Sequence, residues 1–271
     1  MCKSIYKNKE LYELMKEYYK NYYLRDLKLY DWQQRFRNYR VNEEEILGSK
    51  VVSYIESENI NLNRKNILVV GGGTGAEVFF IYNKYKNASV YTIEPFNSAI
   101  EILRLKAQLL KFPLENIKQS FSENLPFKSN LFDVVICFTV LEHVDDVEKS
   151  ILEMYRVTKT QGVIMIETPN YLFPEEQHYK ATIFPPRLSR TLAKLNLKLY
   201  GKYTDYFETL NIFSSKDIDN ILNKYNLNYL RKDEKRLHYC GWKSFLRYFV
   251  KYTFSWIFGI SRNQLIFINK E

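Results

Sequence analysis

Apolar positions along this chain repeat first with a helical period, then alternate between short runs and helical stretches, and finally lose regularity. Leu11, Leu14, Tyr18 and Tyr22 recur at spacings of 3, 4 and 4, which predicts one or two helices over residues 8–40 with those side chains on one face. Residues 43–58 read as a further helix, and the polar stretch 59–66 separates it from the first strand. Residues 67–70 read as a buried strand, 76–85 as a helix, 89–93 as a strand, and Asn97 as the cap of a helix ending at Leu110. A weak strand follows at 116–119, then the nearly continuous apolar run 131–138, a helix from an Asp145 cap to Val157, and a fifth strand at 162–166. This alternation predicts an α/β fold: a Rossmann-like, doubly wound, mostly parallel seven-stranded sheet. Its remaining strands are expected at 227–236 and 264–269, the last antiparallel, with a helix over 216–225 capped by Ser214 or Ser215. Between the fifth strand and that helix, Pro169, Pro174, Pro185 and Pro186 break the pattern, so an inserted α-helical cap is expected, with one helix over 186–200. The domain reading is a helical segment over 1–60, a core over 61–170, a cap over 171–213 and completion of the core over 214–271.

Residues 71–75, Gly-Gly-Gly-Thr-Gly, join the first strand to the next helix. Strand, glycine turn and helix form the phosphate- or nucleoside-binding opening of such sheets, because the backbone must turn sharply and admit a ligand where a Cβ would block it. The spacing Gly71-x-Gly73-x-x-Ala76 also fits a dinucleotide fingerprint, and glycine runs occur in plain turns. Glu94 ends the second strand, where a carboxylate accepts both hydroxyl protons of a ribose. The alternative is an acidic charge at the start of the following helix.

Charge is unevenly spread over the 271 residues. The net +9 divides into +5 over residues 1–40, −5 over 41–180 and +9 over 181–271. Basic flanks around a cofactor-binding core point to an anionic partner, whether a phosphorylated substrate, a membrane surface or RNA, against a simply solvated lysine-rich surface. Cys2, Cys137 and Cys240 have no metal or disulfide spacing, which suits a reducing cytoplasm. The start of the chain lacks the apolar run of a signal peptide, and no apolar stretch is long enough to span a bilayer. A cytoplasmic protein is expected, with membrane association left open.

A later series of motifs is more specific. Glu123-Asn124-Leu125-Pro126-Phe127, Leu131-Phe132-Asp133-Val134-Val135-Ile136, Val140-Leu141-Glu142-His143-Val144, Tyr155-Arg156-Val157 and Thr168-Pro169-Asn170 occur in this order. With Gly71, Gly73, Gly75 and Glu94 they closely resemble the class I S-adenosyl-L-methionine-dependent methyltransferases, in the group that acts on small molecules, quinones, lipids and sugars. The resemblance covers about residues 65–172. A dehydrogenase accounts for Gly71, Gly73, Ala76 and Glu94 but not for the later series. The resemblance implies that Gly71, Gly73 and Gly75 pack against the methionine part of the cofactor and that Glu94 binds its ribose. Ser122 and Glu123 would lie beside the adenine, and Phe138 and Thr139 would line the pocket under the sulfonium. Two positions depart from the family pattern. Val69 stands where an acidic residue often helps hold the cofactor's amino group, and Phe121 where an Asp often accepts from the adenine; Phe121 is expected to pack against adenine instead.

Methyl transfer from a sulfonium is an in-line displacement, in which the protein supplies alignment, a dry pocket and, for a hydroxyl acceptor, a base. His143 is the candidate base, with a structural role at the next helix start as the alternative. His178, in Pro-Glu-Glu-Gln-His, is the second candidate catalytic residue. Ubiquinone-pathway and plant small-RNA methyltransferases carry a Glu-x-x-Glu-His metal cluster at this point. Here the segment reads Thr139-Val140-Leu141-Glu142-His143, with the first Glu replaced, while Glu175, Glu176 and His178 are possible substitutes; no metal is assigned. Over 242–260, Phe245, Phe249, Tyr252 and Trp256 share one helical face and Lys243, Arg247 and Lys251 form a basic stripe. That pattern fits a helix in a membrane interface, or a core helix. The expected function is methyl transfer to a small-molecule, lipid-linked or sugar acceptor, at oxygen. RNA methylation is the alternative favoured by the basic flanks and Tyr-rich helices, and non-catalytic cofactor binding the alternative favoured by Val69 and Phe121.

Overall fold

A computed structural model describes residues 2–232, 255 and 259–271. Its strands are β1 (Asn66–Val70), β2 (Ser89–Glu94), β3 (Ile117–Gln119), β4 (Phe132–Phe138), β5 (Thr158–Pro169), β6 (Glu175–Glu176), β7 (Ala181–Thr182), β8 (Asn228–Arg231) and β9 (Asn263–Asn269). Its α-helices are α1 (Lys9–Lys20), α2 (Trp32–Arg35), α3 (Ser49–Ser57), α4 (Ala76–Lys84), α5 (Asn97–Leu110), α6 (Val147–Val157), α7 (Arg190–Leu199), α8 (Asp205–Glu208) and α9 (Ser215–Lys224). Seven strands form one sheet in the order β3-β2-β1-β4-β5-β9-β8, and β6 pairs with β7 in a separate hairpin. β1 runs parallel to β2 and β4, β2 parallel to β3, and β8 antiparallel to β9. This is the doubly wound sheet expected from the alternating pattern. The chain divides into two compact units: Met1–Cys137 with Asp146–Ile164 and Lys270–Glu271, and Phe138–Asp145 with Met165–Asn269.

In the first unit, β1 and β4 are apolar along almost their whole length because both faces are covered. The N-terminal helices differ from expectation in register. The buried face of α1 is Leu11, Met15 and Tyr19, not Leu11, Leu14 and Tyr18, and Tyr23 continues it beyond the helix. The reason is polar. The Tyr19 hydroxyl donates to Glu43 Oε2 at 2.7 Å and lies 2.6 Å from Thr74 Oγ1, so an aromatic ring with a polar tip is satisfied inside. Two caps also move. Asp146, not Asp145, accepts from the Lys149 N–H at the start of α6, and Asn97 is the first residue of α5, its side chain taken by Gln119.

In the second unit, Pro185 and Pro186 occupy a turn, so α7 begins at Arg190 with Ser189 as its cap. Ser214 caps α9 in a capping box with Asp217. Nothing in the sequence marks the β6–β7 hairpin, because two-residue strands carry no periodicity. Most of the aromatic–basic segment 242–260 lies outside the described residues. Among the described residues, no helix is long and apolar enough to cross a membrane.

Candidate active site

In the first unit, the candidate residues gather where β1 and β2 end. Gly71, Gly73 and Gly75 all have positive φ, the conformation that disfavours a side chain. At Gly73 a Cβ would meet no atom within 4 Å, so that face of the turn is open to a ligand. At Gly75, which opens α4, a Cβ would stand 2.3 Å from the Phe79 ring, so the turn tolerates no side chain there. Glu94 Oε2 accepts the Gly73 N–H at 2.9 Å and Oε1 accepts the Phe96 N–H at 3.2 Å. Burial raises the Glu94 pKa above the usual carboxylate value, and those two N–H bonds oppose the rise. The carboxylate is thus fixed against the glycine turn while two oxygens retain lone pairs for further donors. Open glycine backbone beside an anchored, buried carboxylate fits the amino-acid and ribose parts of an adenosyl cofactor.

This turn is also held from behind. Thr74 Oγ1 donates to Glu43 Oε1, and Lys106 Nζ reaches Glu43 Oε1 at 2.7 Å and Glu44 Oε1 at 2.6 Å. Lys106, Glu43 and Glu44 are all buried. Burial alone would raise the Glu43 pKa, but the charges of Lys106 and Arg40 pull it below its ordinary value. The N-terminal helices are therefore wired through charged groups to the glycine turn. Tyr18 stands within electrostatic reach of Glu94; burial and then the Glu94 charge push its phenol up to about 12. Phe96 and Phe121 follow the ends of β2 and β3 with 62% and 59% of their surface exposed. Ser122 turns its hydroxyl to Ser150 at 2.8 Å, and Glu123 accepts from the Asp146 N–H at 3.3 Å. Val69 is a buried strand residue.

The second unit gathers the histidines. Phe138 is buried at the end of β4, and Thr139, which follows it, holds φ +53. A β-branched residue there is strained, a feature that clusters at functional sites. The turn Leu141–His143 is clamped by Asn211, which donates to the Glu142 carbonyl through its backbone N–H at 2.8 Å and to the Leu141 carbonyl through its side chain at 3.3 Å. Glu142 Oε2 accepts from Thr168 at 3.1 Å, while Oε1 is buried without a partner; burial pushes its pKa up to about 7. The rings of His143 and His178 lie 5.3 Å apart, with Tyr206 at 6.1 and 5.1 Å. His143 is open to solvent on one side, yet burial of the rest of its ring and then the His178 charge push its pKa down to about 3, which favours a neutral ring. His178 Nδ1 lies 2.6 Å from Glu176 Oε1, and Glu176 Oε2 accepts the Tyr179 N–H at 2.8 Å. With the proton assigned to Nδ1, Nε2 is the ring nitrogen that bears a lone pair. One ligand atom each from Glu142, His143 and His178 fall within 4.8 Å of one another.

The profile of a methyltransferase domain matches residues 32–232. The chain belongs to the methyltransferase domain family. A ubiquinone biosynthesis O-methyltransferase of Rickettsia typhi is 28% identical over 167 residues, 55% of this chain and 66% of that one. An uncharacterized protein of Methanocaldococcus jannaschii is 31% identical over 129 residues, 47% and 52%. The chain thus spans between half and two thirds of these relatives. Among solved structures, a SAM-dependent methyltransferase of Thermotoga maritima aligns with TM-score 0.52 at 17% identity, covering 96% of this chain and 100% of that one. The geranyl diphosphate C-methyltransferase of Streptomyces coelicolor, solved with Mg2+ and S-adenosyl-L-homocysteine, aligns with TM-score 0.55 at 13% identity, covering 83% and 79%. The fold is therefore that of S-adenosylmethionine-dependent methyltransferases. Within this methyltransferase fold, Glu94 bonds to the glycine turn in the first unit, and the rings of His143 and His178 lie side by side in the second. Sequence reasoning missed Tyr206 and Asn211, which no local pattern marks as partners of the histidine turn, and it gave Thr168 as a motif residue without its bond to Glu142.

Proposed function

We propose that the protein is an S-adenosylmethionine-dependent methyltransferase that methylates a hydroxyl of a small-molecule or lipid-linked acceptor. When bound, the cofactor supplies an activated methyl group. Gly71, Gly73 and Gly75 receive its amino-acid end along open backbone, Glu94 orients the ribose, and the exposed rings of Phe96 and Phe121 cover the adenine in place of an acidic side chain. Ser122 and Glu123 shape that wall, and Phe138 and Thr139 line the approach to the acceptor, with segment 171–213 as its cap. His178 takes the acceptor's hydroxyl proton on Nε2, because Glu176 holds Nδ1–H and stabilises the charge that forms. His143, kept neutral, orients the acceptor by accepting or donating a hydrogen bond.

The observation that carries the oxygen reading is the Glu176–His178 pair beside a neutral His143. Its test is transfer of labelled methyl from S-adenosylmethionine to parallel sets of phenolic hydroxyls, amines and RNA. Label on hydroxyls, with His178→Asn lowering kcat about a hundredfold or more, is expected. Label on RNA, or full activity in His178→Asn, contradicts it.

A second reading rests on the unpartnered Glu142 Oε1 and on the Glu142–His143–His178 spacing: a divalent cation is held there and acidifies the acceptor hydroxyl directly. Calorimetric titration with Mg2+, Mn2+ or Zn2+ separates the readings. Binding lost in Glu142→Gln supports the cation; activity undiminished by chelator excludes it.

A further inference from the structure

The second unit carries an apolar face that the reaction does not use. On α7, Leu192, Leu195 and Leu199 are 45%, 50% and 75% exposed, and Leu188 just before the helix is 63% exposed. Their spacing of 3 and 4 within the helix puts them along one edge, while Ala193 and Leu197 are buried on the other. Isolated exposed leucines need no explanation, but four aligned ones do. The edge belongs to an anchored element. Arg190 Nη2 donates to the carbonyls of Phe207, Glu208 and Leu210 at 2.8, 2.9 and 2.8 Å, and Asn196 accepts the Phe184 N–H at 2.7 Å. The leucines are thus held outward by a fixed helix. That same tether runs to α8, whose Tyr206 stands beside His178.

The border of this edge has one sign of charge. From residue 177 to 204 the chain contains Lys180, Arg187, Arg190, Lys194, Lys198 and Lys202 and no Asp or Glu. Arg187 is paired with Asp217, and Lys194 with Glu208, but Lys198 and Lys202 form no ion pair among the described residues. Tyr200 and Tyr203 lie exposed at the end of the helix, where amphipathic rings suit a headgroup layer. A two-fold contact with a second copy would bring together two edges that both carry Lys and Arg and lack Asp and Glu, which like-charge repulsion opposes.

We propose that α7 and its flanks dock on an anionic lipid surface, with Leu188, Leu192, Leu195 and Leu199 entering the acyl boundary and Lys198 and Lys202 facing lipid phosphates. This holds whatever the methyl acceptor is, and it assigns lipid contact to a segment other than 242–260. The test is co-sedimentation of the full chain, without cofactor or acceptor, with phosphatidylcholine vesicles containing or lacking phosphatidylglycerol. Binding to the anionic vesicles, weakened by salt, is expected. Leu192→Glu/Leu199→Glu is expected to lower the bound fraction about tenfold or more, and Lys198→Gln/Lys202→Gln to remove much of the salt dependence. Both pairs are surface positions, so circular dichroism and the melting midpoint are expected to match wild type. No vesicle binding by the wild type, or equal binding by the leucine variant, overturns the proposal. So does a wild-type dimer that becomes a monomer in the leucine variant, since the face would then join two copies.

Discussion

A lysine with no exposed surface sits at the back of the glycine turn. Lys106 bridges Glu43 and Glu44, and Glu43 in turn receives Thr74 and Tyr19. Burial would lower the lysine pKa, but the two carboxylates raise it above its ordinary value, so the cluster stays charged. Removing its cation leaves two buried carboxylates facing each other, and such a loss typically costs about 3–5 kcal/mol. Lys106→Met is expected to lose that much in urea unfolding and to weaken cofactor binding, because Thr74 loses its fixed partner. A loss below about 1 kcal/mol would show the cluster to be dispensable. Little of this was legible in the sequence. Glu43, Thr74 and Lys106 are far apart along the chain, and Lys and Glu in amphipathic helices ordinarily read as solvated. The glycine turn and Glu94 were legible because their signals are local: a strand end, a turn needing positive φ, and a carboxylate at the end of the next strand.

At the level of elements, apolar runs located the strands well because a strand buried on both faces leaves a continuous signature. Caps were less legible. Asp145 and Asp146 are chemically equivalent, and only the backbone torsions decide that Asp146 caps α6. The α1 face shifted because its burial is decided by hydrogen bonds to Glu43 and Thr74 rather than by hydrophobicity. The histidine turn was legible as a motif, but its clamp by Asn211 and its neighbour Tyr206 come from residues more than sixty positions further along the chain. Start signals for α9 were readable, and they yield a pH prediction. Asp217 accepts from the Ser214 N–H at 2.7 Å and from Arg187, and its side-chain bond with Arg187 holds its pKa well below the usual carboxylate range. A depressed carboxylate adds stability that is complete above its unfolded pKa and is lost as pH falls below that value. Asp217→Asn is therefore expected to cost about 1 kcal/mol at pH 7, with the gap to wild type narrowing below about pH 4. A gap that widens in acid would contradict the assignment. Because Arg187 is half exposed, the cap bonds rather than the ion pair carry most of that figure.

Across the molecule, the acidic middle and basic ends seen in the sequence have separate uses in this account. The middle holds the glycine turn and the buried Glu94 proposed to grip the cofactor as an anion; part of the basic C-terminal third flanks the exposed leucines of α7. Everything proposed about the acceptor presupposes that the glycine turn and Glu94 hold S-adenosylmethionine. The direct measurement is isothermal titration of the cofactor into wild type and Glu94→Ala at neutral pH, repeated for wild type at lower pH. One site in the wild type is expected, weakened about ten- to a hundredfold by Glu94→Ala, as loss of a charged hydrogen-bonding partner implies. Affinity is also expected to fall as acid protonates Glu94, beginning above the usual carboxylate range because burial raises its pKa. No heat in the wild type, or unchanged affinity in Glu94→Ala, would contradict the account.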